Sequence, residues 1–156
     1  MSRLLRTLIL VFFIASCGVF SYGSAPRNLD NACSILQQRP HFHRAFKSAQ
    51  QSWGVPINVQ MAMIHQESRF RSNAKTPMRY FLGILPLGRQ SSAYGYAQAL
   101  DGTWNEYKKS TSRLFARRSN IRDAADFIGW YMTETKRRNR VSLSNAKNQY
   151  LAYHEG

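Results

Sequence analysis

Acidic side chains are scarce in this sequence: eight Asp and Glu stand against 22 Lys and Arg in 156 residues, a formal net charge of +14. Cysteine is scarcer still, with only Cys17 and Cys33, which excludes a disulfide-built scaffold. The most apolar run, Leu8 to Ala15, falls well short of the ~20 residues that span a bilayer. No Gly-rich phosphate loop occurs. His41, His43 and His65 lack the Cys or carboxylate company of a ligand set, so neither metal nor cofactor is expected. No run alternates convincingly in the manner of a strand, and no internal repeat appears. The domain is therefore expected to be mainly α.

What is present argues for a folded chain. Apolar residues make up 44% and aromatics 13%, and the length suits one compact domain with a core. The first residues read differently. "MSRLLR" brings Arg3 and Arg6, and "LLRTLILVFFIASC" closes on small residues, the pattern of a secretory signal peptide over 1–16. "IASC" resembles the bacterial lipobox, which implies cleavage before Cys17 and a lipid on that cysteine. Gly18 follows without the aspartate of an inner-membrane retention signal, so an exported, periplasmic lipoprotein at the outer membrane is expected. Residues 17–39, with "GVFSYGSAPRNLDN", read as its tether. The basic surplus persists beyond Arg3 and Arg6. It suits a polyanion, and export turns the choice from nucleic acid to anionic wall polymer or lipid. "ARRSNIR" and "KRRNR" come without any nucleic-acid-binding signature, so no nucleic acid is expected.

Periodicity places the elements of a domain over 40–156. After Pro40, "HFHRAFKSAQQSW" predicts a helix with Phe42, Ala45, Phe46 and Ala49 on one side, stopped by Gly54. Pro56 opens "PINVQMAMIHQESRF", apolar nearly all round and so expected to be central. Two prolines and two glycines make "RSNAKTPMRYFLGILPLGRQSS" a long loop, packed over the domain or offering an apolar lip to a ligand or membrane. "AYGYAQALDGTWNEYKKSTS" reads as two short helices about a turn at Asp101-Gly102. "SNIRDAADFIGWYMTETKRR" carries the strongest stripe: Ile121, Ala124, Ala125, Ile128, Tyr131, Met132 and Thr135, capped by Ser119 or Asn120. "SLSNAKNQYLAYHEG" predicts a last helix capped by Ser142 or Ser144.

Chemistry narrows to one carboxylate. Asp123 suits a helix start, while Asp126 and Glu134 fall on the polar side of a helix beside many arginines. Glu67 follows Met63 and Ile64 at helical spacing and sits near a helix C-terminus. Burial and the negative end of the helix dipole both favour its neutral form, and a carboxyl held neutral near pH 7 can donate a proton. The alternative is a buried Glu satisfied by Arg or Tyr.

"HQESRF", "SAYGYAQA" and "YLAYHEG", in that order, resemble the three motifs of the soluble lytic transglycosylase (SLT) family, which shares the goose-type lysozyme fold. The resemblance covers roughly residues 53–156. It implies a lysozyme-like helical domain in which Glu67 is the catalytic acid, with Ser68 beside it. It also implies that Gly95, Gln98 and Tyr153 line the cleft; Tyr94 and Tyr96 are candidates for stacking on sugars. His154 and Glu155 stand where the family pattern has Asn and Ala. A further C-terminal segment usually follows this motif, which leaves open a truncation of the domain.

Glycoside hydrolysis ordinarily needs two carboxylates. The sequence offers one, and the family implies a reaction that needs one: Glu67 protonates the glycosidic oxygen, then takes a proton from the substrate's C6 hydroxyl, giving a 1,6-anhydro sugar. The expected activity is cleavage of the MurNAc–GlcNAc β-1,4 bond of peptidoglycan strands by a monomer. The alternatives are lysozyme-type hydrolysis and a non-catalytic wall-binding lipoprotein.

Overall fold

Two helices that cross at a glycine organise the molecule, whose computed structural model describes residues 24–155. In chain order the elements are α1 (Ala32–Gln38), α2 (Pro40–Trp53), α3 (Ile57–Ser68), β1 (Met78–Phe81), β2 (Leu85–Arg89), α4 (Asp101–Ser110), α5 (Ile121–Asn139) and α6 (Ala146–Glu155). The fold is mainly α with one two-stranded sheet, consistent with a lysozyme-like SLT domain. The signal peptide expected over 1–16, Cys17 and Gly156 lie outside the described residues. Among the described residues, no helix is long and apolar enough to cross a membrane.

α2 buries the predicted face, Phe42, Ala45, Phe46 and Ala49, and ends where Gly54 turns left-handed at φ 73°. That face lies against α5. At the crossing, a Cβ on Gly129 would sit 2.4 Å from Trp53 Cδ1, so only glycine lets the two helices approach this closely. α5 is more central than its stripe implied: Phe127 and Trp130 are buried along with Ile121, Ala124, Ala125, Ile128 and Met132. Asp126, expected on the polar side, is buried as well. It accepts Trp53 Nε1 at 3.0 Å and the Tyr107 hydroxyl at 2.7 Å, and pairs with Arg113 at 3.3 Å. Indole, phenol and guanidinium replace the water that a lone carboxylate would have kept.

α3 is held by a buried amide. Gln60 Nε2 donates to the carbonyls of Phe46 and Val55, tying the helix to α2 and to the turn that precedes it. At the other end of the fold, Gln149 Nε2 reaches the carbonyls of Met132, Val141 and Ser142 and anchors α6 to the end of α5. Trp104, Tyr107, Phe127 and Trp130 pack as tilted and edge-on rings at 5.1–5.9 Å, filling the space between α4 and α5.

Several expectations are corrected. The segment expected to be tether up to residue 39 contains α1, capped by the Asn31 side chain on Ser34 N, and its Ile35 belongs to the core. One buried Ile in a seven-residue helix leaves too short a period to read. The long loop after α3 contains an antiparallel hairpin, because Leu82 and Gly83 both take positive φ and make the turn that suits twisted strands. "AYGYAQA" is not helical: Gly95 and Gln98 both adopt positive φ, and Tyr94 bridges back to Ala99. Asp101-Gly102 opens α4 instead of turning the chain, and Asn145, not a serine, caps α6 by accepting Asn148 N. Asn120 caps α5 as expected.

Candidate active site

Glu67 is the penultimate residue of α3, and Arg69 ends the helix in the left-handed region. Its side chain lines a cavity of about 490 Å³ with Gln98, Tyr131, Tyr153, His154 and Glu155; Thr76, Ser91 and Ala93 come from the base of the hairpin. Three separate parts of the chain therefore converge: the end of α3, the tight loop after the hairpin, and the facing sides of α5 and α6.

The Glu67 carboxylate takes no hydrogen bond and no ion pair from any described residue. Burial pushes its carboxyl from the ordinary 4.5 up to about 7, with the charge of His154 pulling the other way. Lying at the carbonyl end of α3 adds to the same upward push. The group is thus neutral through acid pH and near half-ionised at neutrality, which lets it give a proton and take one back.

Gln98 is oriented by the loop it belongs to. Its Nε2 donates to the carbonyls of Ala74 and Gly95, each at 2.9 Å, which fixes the amide orientation and leaves Oε1 to accept from a ligand hydroxyl. A φ of 49° aims the side chain into the cavity wall, and a strained non-glycine conformation of this kind persists only where surroundings hold it. Tyr153 donates its hydroxyl to the Ala97 carbonyl and packs edge-on against Tyr131 at 4.7 Å. Burial, then the nearby Glu67 and Tyr131, push its phenol well above the ordinary value, so it stays protonated. Its oxygen keeps lone pairs for a second partner.

The other residues picked from the sequence face elsewhere. Ser68 is buried and donates to the Ile64 carbonyl within its own helix. Gly95 serves a close backbone approach: a Cβ there would stand 2.2 Å from the Arg118 carbonyl oxygen, and φ is +80°. Tyr96 turns into the core edge-on to Phe42 and borders a different cavity, lined by Arg39, His41 and Arg122. The positive φ angles at Gly95 and Gln98 break the alternation that would put Tyr96 and Gln98 on one side, a separation that motif spacing does not reveal. Tyr94 lies under Lys75 and Arg118 as a cation–π partner. Among the described residues, no three His, Cys, Asp or Glu side chains gather as a metal set.

The sequence reading missed Thr76, Tyr131, His154 and Glu155 as wall residues. The signal for the last two was adjacency: they follow Tyr153 in the last turn of α6, and the helix ends at the cavity, so all three border it. Tyr131 sat in a stripe read as core, and nothing in that stripe marked one member as facing a cavity.

Searches of curated proteins and of solved structures returned no match. A family model described as "Transglycosylase SLT domain" matches residues 5–156, nearly the whole chain. The helical fold, the partnerless carboxyl at the end of α3 and this match agree. The chain belongs to the transglycosylase SLT domain family, the peptidoglycan lytic transglycosylases, and is a lyase acting on the cell wall.

Proposed function

We propose that Glu67 alone carries proton transfer in cleavage of the MurNAc–GlcNAc β-1,4 bond, and that the product is a 1,6-anhydro-muramyl end. The observation behind this reading is a carboxyl without a hydrogen-bonded partner that lines a cavity with Gln98 and Tyr153, where burial also favours its neutral form. A structural glutamate would have an arginine or tyrosine on it; this one is reserved for a ligand.

The protonated Glu67 gives its proton to the glycosidic oxygen as the C1–O bond breaks. Positive charge develops at C1, and the new Glu67 carboxylate stands beside it. The carboxylate then takes the proton of the C6 hydroxyl as O6 bonds to C1. Glu67 ends protonated, no water is consumed, and one bond has replaced another. Gln98 Oε1 accepts a sugar hydroxyl and Tyr153 holds the ring near the carboxyl, so both act on geometry. Ser68, Gly95 and Tyr96, off the lining of the Glu67 cavity, shape the loop and the helix end.

Peptidoglycan lies outside the cytoplasm, in keeping with export through a signal over 1–16, a lipid on Cys17 and a connecting segment to the domain. We take the enzyme to be a monomer held at the outer membrane. The mass of the mature N-terminus tests the anchor: a diacylglyceryl cysteine at position 17 supports it, and an unmodified residue there refutes it.

Hydrolysis is the second reading, because Glu155 places another carboxylate on the cavity wall. The product decides. Digestion of purified peptidoglycan by the wild-type chain and by folded Glu67→Gln, read by mass spectrometry, should give muropeptides one water lighter than hydrolysed ones, and none with the variant. Hydrated products abolished by Glu155→Gln would instead make this a hydrolase.

A further inference from the structure

The hairpin of β1 and β2 stands away from the core with apolar side chains on both faces and at its tip. Tyr80, Phe81, Leu85 and Leu87 are each more than half exposed, and at the turn Leu82 and Ile84 reach 81% and 80%. Exposure falls to 37% at Met78, toward the base. A contiguous apolar surface of this kind marks something other than water as its neighbour. Charge on the segment has one sign. From Ser68 to Leu100 the sequence holds Arg69, Arg71, Lys75, Arg79 and Arg89 and no Asp or Glu. None of these five forms a salt bridge among the described residues, and Arg89 is held at the base by a bond to the Thr76 carbonyl.

We infer that this hairpin is a shallow membrane-insertion device for an anionic phospholipid surface. A docked protein covers one face of a sheet, whereas both faces and the turn are apolar here, so the medium must surround the tip. The acyl boundary of a bilayer does that. Arg79 and Arg89 then stand at the depth of the phosphates, which the cationic run complements. About three residues separate them from the turn, roughly 10 Å at the rise of a strand, the depth of an interfacial anchor and far short of a span. Among the described residues the outer edges of β1 and β2 have no strand partner, which also limits insertion to the interface, because unpaired backbone groups are costly deeper in the hydrocarbon.

The position of the hairpin gives insertion a consequence. Thr76 and Ser91 close its base, Thr76 Oγ1 donating to the Ser91 carbonyl at 2.9 Å, and both line the cavity that holds Glu67. A chain seated by its hairpin therefore holds that cavity against the lipid surface and reaches glycan lying next to it. Lipid seating needs none of the catalytic steps, so it stands or falls separately from the proposed role of Glu67.

Leu82→Trp in the full chain places an indole at the tip, against the core indoles of Trp53, Trp104 and Trp130 measured in the unsubstituted protein. Vesicles of phosphatidylglycerol and phosphatidylcholine should shift the added emission to the blue, and brominated acyl chains should quench it. Phosphatidylcholine alone, or high salt, should weaken both effects. Adding Ile84→Asp and Leu85→Asp should raise the lipid needed for half the shift by at least about tenfold with the melting temperature kept. A chain that binds vesicles through another segment while the indole at 82 stays unquenched overturns the inference. So does a shift with peptidoglycan but not with vesicles, or a shift in the absence of lipid accompanied by a doubled mass in solution.

Discussion

Replacing Glu67 with Gln should make the protein more stable at pH 8 and leave it unchanged at pH 4. The carboxyl is raised from 4.5 to about 7 by burial, with no hydrogen bond to offset the loss of water. A folded pKa above the unfolded one means that the folded state favours the neutral form. Stability linked to this group is complete below about 4.5 and is lost as pH rises through about 7. At roughly 1.4 kcal/mol per pH unit the full displacement corresponds to about 3 kcal/mol. The side chain is partly open to solvent, which screens the penalty, so about 1–2 kcal/mol is the expected gain for the amide above neutrality. Urea unfolding of both proteins between pH 4 and 8 measures it. Every other titrating group is common to the pair, so the difference between the two curves isolates residue 67. Parallel curves would show that Glu67 is not desolvated in the folded state, and the acid role proposed for it would lose its physical basis.

The same shift predicts the pH dependence of turnover: peptidoglycan clearing should fall as pH rises through about 7, because the acid form disappears. His154→Asn removes the charge that holds the Glu67 value down, so this alkaline limb should move to higher pH; a limb that does not move would dissociate His154 from the acid. Gly129→Ala drives a methyl into Trp53, and chemical denaturation should report a loss of about 1–3 kcal/mol. Asp126→Ala strands the Tyr107 hydroxyl, the Trp53 indole and the Arg113 guanidinium, and about 3–5 kcal/mol should be lost; an unchanged midpoint would mean that the three donors find water instead.

Sequence period was legible wherever one face of a long element was apolar. The four buried positions of α2, its glycine stop, the Asn120 cap and the extent of α5 all followed from spacing and capping chemistry. Glu67 was legible too, because a carboxyl in line with Met63 and Ile64 near a helix end breaks the pattern that surrounds it. Short or irregular elements were not. α1 has one buried side chain, and the hairpin buries neither face, so neither carries a period that could be read.

The sequence by itself determined the helical class, the order of the long helices, the excess of positive charge and the one carboxyl worth asking about, since these depend on neighbours within a few residues. Only the tertiary structure decided which side chains share the cavity. Gln98 joins Glu67 while Tyr96 turns away, because two positive φ angles and the Arg118 carbonyl fix the loop between them. His154, Glu155 and Tyr131 reach the same cavity because α6 packs on α5. Asp126 changed from a solvated charge to a buried anchor once Trp53 and Tyr107, distant in sequence, came within hydrogen-bond reach. Contacts of that kind join residues tens of positions apart, and no local pattern encodes them.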